Sequence, residues 1–198
     1  MRVLLPLILF LSQISVSSQT ILEWSPDYKI SLEDFQSPQT EINSKLTSYS
    51  VFSGADMEFS FRMTTVEFMF TKNFNSKVIA TFNKKAAVIT APDTTTAISL
   101  VNLGQYSFDL AELYSRKFRR KMHDQKGVFS NVSFFQPMHH HLQEEMNAEF
   151  ALVLKATDLG LKKDLLLEAR QKVLLEIEEL SDFCKECKPP KHNRQKNP

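Results

Sequence analysis

The sequence predicts an α+β fold, with an N-terminal antiparallel sheet arranged as a meander, a long helix packed on it, and two further C-terminal helices. Three observations lead there. Short apolar runs of strand length fill the chain as far as Ile89. After Ala91-Pro92-Asp93 the apolar spacing lengthens from two to between three and four residues. The last third then carries two more helical stripes with no strand between them, which places the strands and helices in separate blocks.

The strand block runs from Trp24 to about Ile89. In Met57-Glu-Phe-Ser-Phe-Arg-Met63, the residues Met57, Phe59, Phe61 and Met63 alternate with Glu58, Ser60 and Arg62, which turns one face toward a core. Val66-Glu-Phe-Met-Phe70 repeats the alternation after two threonines and reads as another strand. Shorter runs stand at 48–52, 78–82 and 86–89, and connections this brief favour antiparallel neighbours over βαβ crossovers.

Asp93, or one of Thr94 to Thr96, can cap the first helix, which is predicted over 97–122. Its inner stripe is Ile98, Val101, Phe108, Ala111, Phe118 and Met122, widened by Leu100, Leu103, Leu110 and Tyr114. Gly104 lies in its interior at a cost of about 1 kcal/mol relative to alanine, with no local reason visible. Pro137 suits the first residue of a second helix, predicted to reach about Ala156 with Met138, Leu142, Met146, Phe150 and Val153 inside. The chain turns at 157–160. A third helix then carries Leu166, Ala169, Val173, Ile177, Leu180 and Cys184.

The first residues have one positive charge, an apolar run over 3–11 and small residues over 15–18, the three-part plan of a secretory signal. Cleavage is expected after Ser18, with Val16 and Ser18 at the two positions that must be small. The predicted organisation is a signal peptide over 1–18, one domain over 19–183, and a C-terminal segment over 184–198 holding both cysteines and a basic, mobile tail. The expected location is therefore secreted or periplasmic, with no integral membrane segment once the signal is removed. Lys and Arg number 24, of which Arg2 belongs to the signal, and 23 Asp and Glu balance the remaining 23. A mature chain of zero net charge has no global field to attract nucleic acid or an anionic membrane, and the expected partner is an unidentified protein or envelope component. The cluster Arg116, Lys117, Arg119, Arg120 and Lys121 reads as a solvated helix face.

Several chemistries are excluded by the glycines. Only four exist, Gly54, Gly104, Gly127 and Gly160, and they stand far apart. Dinucleotide fingerprints, phosphate loops and nucleophile elbows each need two or three within a few residues. Cys184-Lys-Glu-Cys187 follows a helix and precedes two prolines, which argues against a redox motif at a helix N-terminus and leaves a local disulfide or two idle thiols. His139-His140-His141 with Glu144 and Glu145 is the densest set of metal-ligand types. His140 with Glu144, and His141 with Glu145, stand at helical i, i+4 spacing, but three consecutive histidines point about 100° apart around a helix.

One stretch of the first helix resembles a known family. Asn102-Leu-Gly-Gln-Tyr-Ser-Phe-Asp-Leu-Ala-Glu-Leu-Tyr-Ser-Arg-Lys-Phe-Arg-Arg120 is similar to the signature helix of an uncharacterised family of secreted bacterial zinc-dependent-protease-like proteins, H-E-Q-x-H-F-D-[IL]-x-E-[LI]-[YHF]-A-R-K-[LF]-R. Gln105, Phe108, Asp109, Glu112, Arg116, Lys117 and Arg119 match. Trp24 ahead of Ile30-Ser-Leu-Glu-Asp-Phe35 resembles the family's L-T-W-x-D-F, and Phe74-Asn-Ser-Lys77 its N-F-N-P-x-K. The resemblance covers roughly 24–122 and implies a zinc site whose two histidines and catalytic glutamate fall here on Leu103, Ser107 and Gly104. None of these three can ligate zinc well or act as a general base, so the metal chemistry is expected to be lost. The alternative is a zinc-dependent hydrolase with relocated ligands, drawn from His139, His140, His141, Glu144, Glu145, Glu112 and Asp109. The family's downstream Tyr-Asp and Thr-x-His segment has no counterpart.

Overall fold

The computed structural model describes residues 20–60, 64–71, 73–125 and 132–190. The expected signal peptide with its cleavage site, the end of the 57–63 run, and the tail beyond Pro190 with His192 lie outside the described residues.

Six short strands form two sheets. In the first, β5 (Val78–Asn83) lies between β1 (Ile21–Glu23) and β4 (Ala55–Phe59), antiparallel to both, with Leu22 opposite Phe82 and Met57 opposite Ala80. In the second, β6 (Val88–Ala91) lies between β2 (Glu41–Ile42), which is parallel to it, and β3 (Ser50–Phe52), which is antiparallel. The strands are thus small and mostly antiparallel, but their order does not follow the chain as in a simple meander. β5 is covered on both faces, with Val78, Ala80, Thr81 and Phe82 all buried, as its central position requires. Met57 and Phe59 point inward and Glu58 outward, as the period of two predicts.

The second alternating run is not a strand. Residues Thr65–Phe70 form a short helix, α1. Thr64-Thr-Val-Glu67 is an N-terminal capping sequence: the Thr64 hydroxyl accepts the Glu67 backbone N–H at 3.1 Å. Val66, Met69 and Phe70 are exposed and Phe68 alone is buried, which a single helical turn on the surface permits and a core strand would not.

Helix α2 (Thr94–Gln125) starts where Asp93 Oδ1 accepts the Thr96 N–H at 2.8 Å. Of its 32 residues 20 are buried, so it is enclosed on all sides rather than packed on one face. Ile98, expected inside, is instead half exposed. Helix α3 (Phe135–Ala156) begins two residues before Pro137, which takes the third position, where a backbone N–H has no intrahelical partner to lose. The turn that follows uses left-handed backbone at Asp158, Leu159 and Gly160. Gly160 is required there twice over, by its φ of +88° and because a Cβ would lie 2.8 Å from the Ser99 carbonyl oxygen. Helix α4 (Lys163–Glu179) ends earlier than predicted, and its buried stripe continues through Leu180 into a short turn that buries Phe183 in place of Cys184.

Cys184 and Cys187 are joined by a disulfide. The segment that holds them is tied to the domain as far as Pro190: Asn73 and Asn75 donate to the Cys187 carbonyl at 2.9 and 3.1 Å, and His123 Nε2 lies 3.0 Å from the Pro190 carbonyl. Among the described residues no helix is long and apolar enough to cross a membrane.

Candidate functional site

The stretch of α2 that carries the resemblance presents two opposite ridges. On one, Leu103, Ser107, Leu110 and Tyr114 recur at steps of three and four. Leu103 is fully enclosed, Leu110 and Tyr114 are buried, and Ser107 accepts a hydrogen bond from the Ser53 hydroxyl at 2.9 Å. Ser107 and Leu110 also line a small groove of about 120 Å³ with Ser53, Met146 and Phe150. Tyr114 donates its hydroxyl to Glu149 at 2.8 Å; burial, reinforced by that carboxylate, pushes its pKa well up. This face joins β3 and α3 to the core.

Gly104 has a packing reason that its sequence context hides. A Cβ built there would meet Phe35 Cζ at 2.8 Å, with the two Cε atoms at 3.7 Å. Phe35 is buried and stands edge-on to Phe82, with ring centroids 5.6 Å apart. The ring is placed by its neighbour Asp34, which accepts the Ser31 N–H at 2.9 Å and the Tyr28 hydroxyl at 2.9 Å and pairs with Lys84 at 2.9 Å. Burial alone would raise the Asp34 pKa, but the Ser31 amide, Lys84 and Tyr28 together hold it below the ordinary value. Asp34 and Phe35 therefore serve as a seat for α2.

The opposite ridge of α2 is polar and buried. Gln105 accepts the Ile30 N–H at 2.8 Å and donates to Asp109 at 3.1 Å. Asp109 also takes Trp24 Nε1 at 2.9 Å and pairs with Arg170 of α4 at 2.7 Å. One turn on, Glu112 Oε1 accepts Arg116 Nε at 2.8 Å and Arg119 Nη1 at 3.0 Å. Arg119 donates its remaining N–H groups to the Val78 and Phe183 carbonyls and to Glu112 Oε2. Burial lowers its pKa, an effect that Glu112 opposes. Arg116 and Arg119, expected on a solvated face, are thus buried and ion-paired, because β5, the last turn of α4 and the turn after it present them with carbonyls. The polar residues that match the family helix tie α2 to both sides of the fold.

The histidine triplet does not form one centre. His139 points inward, its Nε2 3.0 Å from the Met57 carbonyl and its ring edge-on to Phe118 at 5.4 Å. A carbonyl can only accept, so Nε2 carries the proton there. His140 pairs with Glu144, and His141 with Glu145, each at 3.2 Å on the exposed side of α3. Asp109 and Glu112 are held by arginines elsewhere. Among the described residues, no three His, Cys, Asp or Glu side chains come together in a way that could hold a metal ion.

Sequence reasoning did not find two further groupings. Asn75, from the Phe74-Asn-Ser-Lys77 turn, is buried and clamps the disulfide segment through the Asp182 and Cys187 carbonyls. Trp24 lies under the Arg116 guanidinium, 5.7 Å from ring centroid to carbon, at the wall of a cavity. The single tryptophan and the matched arginine were the available signals. No family model, curated protein or solved structure matches the chain.

Proposed function

We propose that the chain is a secreted or periplasmic protein that binds a protein or envelope partner without catalysing a reaction, on a helical framework resembling the zinc-protease-like family. The observation that supports this reading is what occupies the three motif positions. Leu103 is fully enclosed, Gly104 lies under the Phe35 ring, and Ser107 is engaged with Ser53. A zinc helix needs two imidazoles on one accessible face and a carboxylate beside them to take a proton from metal-bound water. Here that face is packed into the core, and its small groove of about 120 Å³ offers only the Ser53 and Ser107 hydroxyls and the Asn147 amide.

Metal analysis of the purified mature protein, loaded with zinc and then dialysed, tests the reading together with a peptidase assay. The expected result is zinc well below one equivalent and no zinc-dependent hydrolysis. One tightly held zinc per chain, lost when His139, His140 and His141 are replaced by alanine, would overturn it in favour of relocated ligands.

A further inference from the structure

A cavity of about 360 Å³ opens beside the polar ridge of α2, on the side of the helix away from Leu103 and Ser107. Its inner wall holds Glu112, Arg116 and Arg119, its floor Ile79 and Ala80 of β5, and its flank Trp24. Lys185 of the disulfide segment crosses the mouth to pair with Glu23 of β1, and Glu186 stands 4.0 Å from the same ammonium.

Arg116 is 7% exposed. Its Nε and Nη1 are taken by Glu112 and by the Ile177 and Leu180 carbonyls, while Nη2 has no partner among the described residues. Nη2 is nevertheless not a sealed orphan: Ser115 Oγ is the one fully enclosed, unpartnered side-chain atom among the described residues. Arg116 lines the cavity and its Nη2 is not fully enclosed, so an acceptor could reach it from there. A charged donor without a protein acceptor leaves that position to an acceptor from outside the protein. The charges then sort by depth. The inner wall carries two guanidiniums and one carboxylate, net +1, and the mouth two carboxylates and one ammonium, net −1.

We infer that this cavity binds a small monocarboxylate with an aromatic or aliphatic body, its carboxylate accepting from Arg116 Nη2 and its body lying against Trp24 and Ile79. A single anionic group satisfies the inner wall, whereas a phosphate dianion would meet Glu112 inside and Glu23 and Glu186 at the mouth. The volume sits at the lower end of the usual range for ligand pockets, roughly 300–1,000 Å³, which limits the occupant to a compact molecule. The inference goes beyond the proposed function and does not depend on the fate of the zinc motif, because none of its residues lies on that face.

Trp24 is the one tryptophan, so emission from the intact, disulfide-bonded mature protein reports on the cavity directly. Titration with 3-phenylpropionate is expected to change the emission saturably. Its primary amide should bind at least about tenfold more weakly, since it lacks the charge-assisted hydrogen bond, and inorganic phosphate should give no response. Arg116→Lys should weaken the acid by a similar factor. Ile79→Phe, which fills the cavity without touching the ion pairs, should abolish the response and keeps the test valid if the lysine variant fails to fold. N-acetylphenylalanine separates the two sources of this chemistry: tighter binding than 3-phenylpropionate assigns the C-terminus of a peptide, weaker binding a free acid. Equal binding of acid and amide, equal binding of phosphate, an unchanged response in Ile79→Phe, or no saturable change at millimolar acid would each overturn the inference.

Discussion

Gly104→Ala separates two accounts of the same glycine. In a helix interior with open space, the change should stabilise the fold by about 1 kcal/mol through helix propensity alone. The structure gives the opposite sign. The new Cβ would lie 2.8 Å from Phe35 Cζ, closer than carbon atoms tolerate, and the ring cannot swing clear because it is buried against Phe82. Overpacking of this kind costs about 1–3 kcal/mol, which leaves a net loss of roughly 0–2 kcal/mol after the propensity gain. For a domain of this size that is a fall in Tm of up to about 8 °C. Urea unfolding of four proteins checks it: wild type, Gly104→Ala, Phe35→Leu and the double variant. Leucine removes Cζ, so alanine at 104 should become neutral or stabilising in that background, with a coupling of about 1 kcal/mol or more. A Gly104→Ala protein about 1 kcal/mol more stable than wild type would refute the seat. So would two substitutions whose effects simply add.

Glu112→Gln leaves the buried Arg116 and Arg119 without their countercharge and should destabilise the fold by about 3–5 kcal/mol in chemical unfolding. Asn75→Ala removes two hydrogen bonds that hold the disulfide segment and should cost about 1–3 kcal/mol, with proteolysis after Lys185 or Lys188 accelerating in mass spectrometry. Because the folded Asp34 pKa lies below its ordinary value of 3.8, the stability it contributes is present above that pH and lost as pH falls through the folded pKa. Asp34→Asn should therefore flatten the acid limb of a stability–pH curve below about pH 4 and leave its neutral region uniformly lower.

Much of the fold was legible because helices advertise themselves over many residues. Asp93 and its threonines, the long stripe of α2, and Pro137 are strong local signals, and the elements stand close to where these place them. The error at 65–70 has the complementary cause. Five residues that alternate cannot distinguish a strand from one helical turn, and the deciding feature was the capping pair Thr64 and Glu67 rather than the hydrophobic period. The burial of Arg116 and Arg119 was not legible at all. Glutamate and arginine at steps of four and seven look the same on a solvated face as on a buried one, and the carbonyls that receive them come from Val78, Ile177 and Phe183, far along the chain.

The same distinction bears on how the resemblance of α2 is to be weighed. Its polar matches Gln105, Asp109, Glu112, Arg116 and Arg119 lie on the polar ridge, while Leu110 and Tyr114 of the opposite ridge also fit the pattern. Glu112 pairs with Arg116 and Arg119 inside α2, and the others tie the helix outward: Gln105 to the loop before Phe35, Asp109 to Trp24 and α4, Arg119 to β5 and the terminal turn. A helix buried all round must satisfy such groups internally or lose several kcal/mol for each failure. At the motif positions Leu103 is enclosed and Gly104 lies beneath a phenyl ring. The polar ridge is therefore evidence about how α2 is held in the fold and says nothing of metal chemistry.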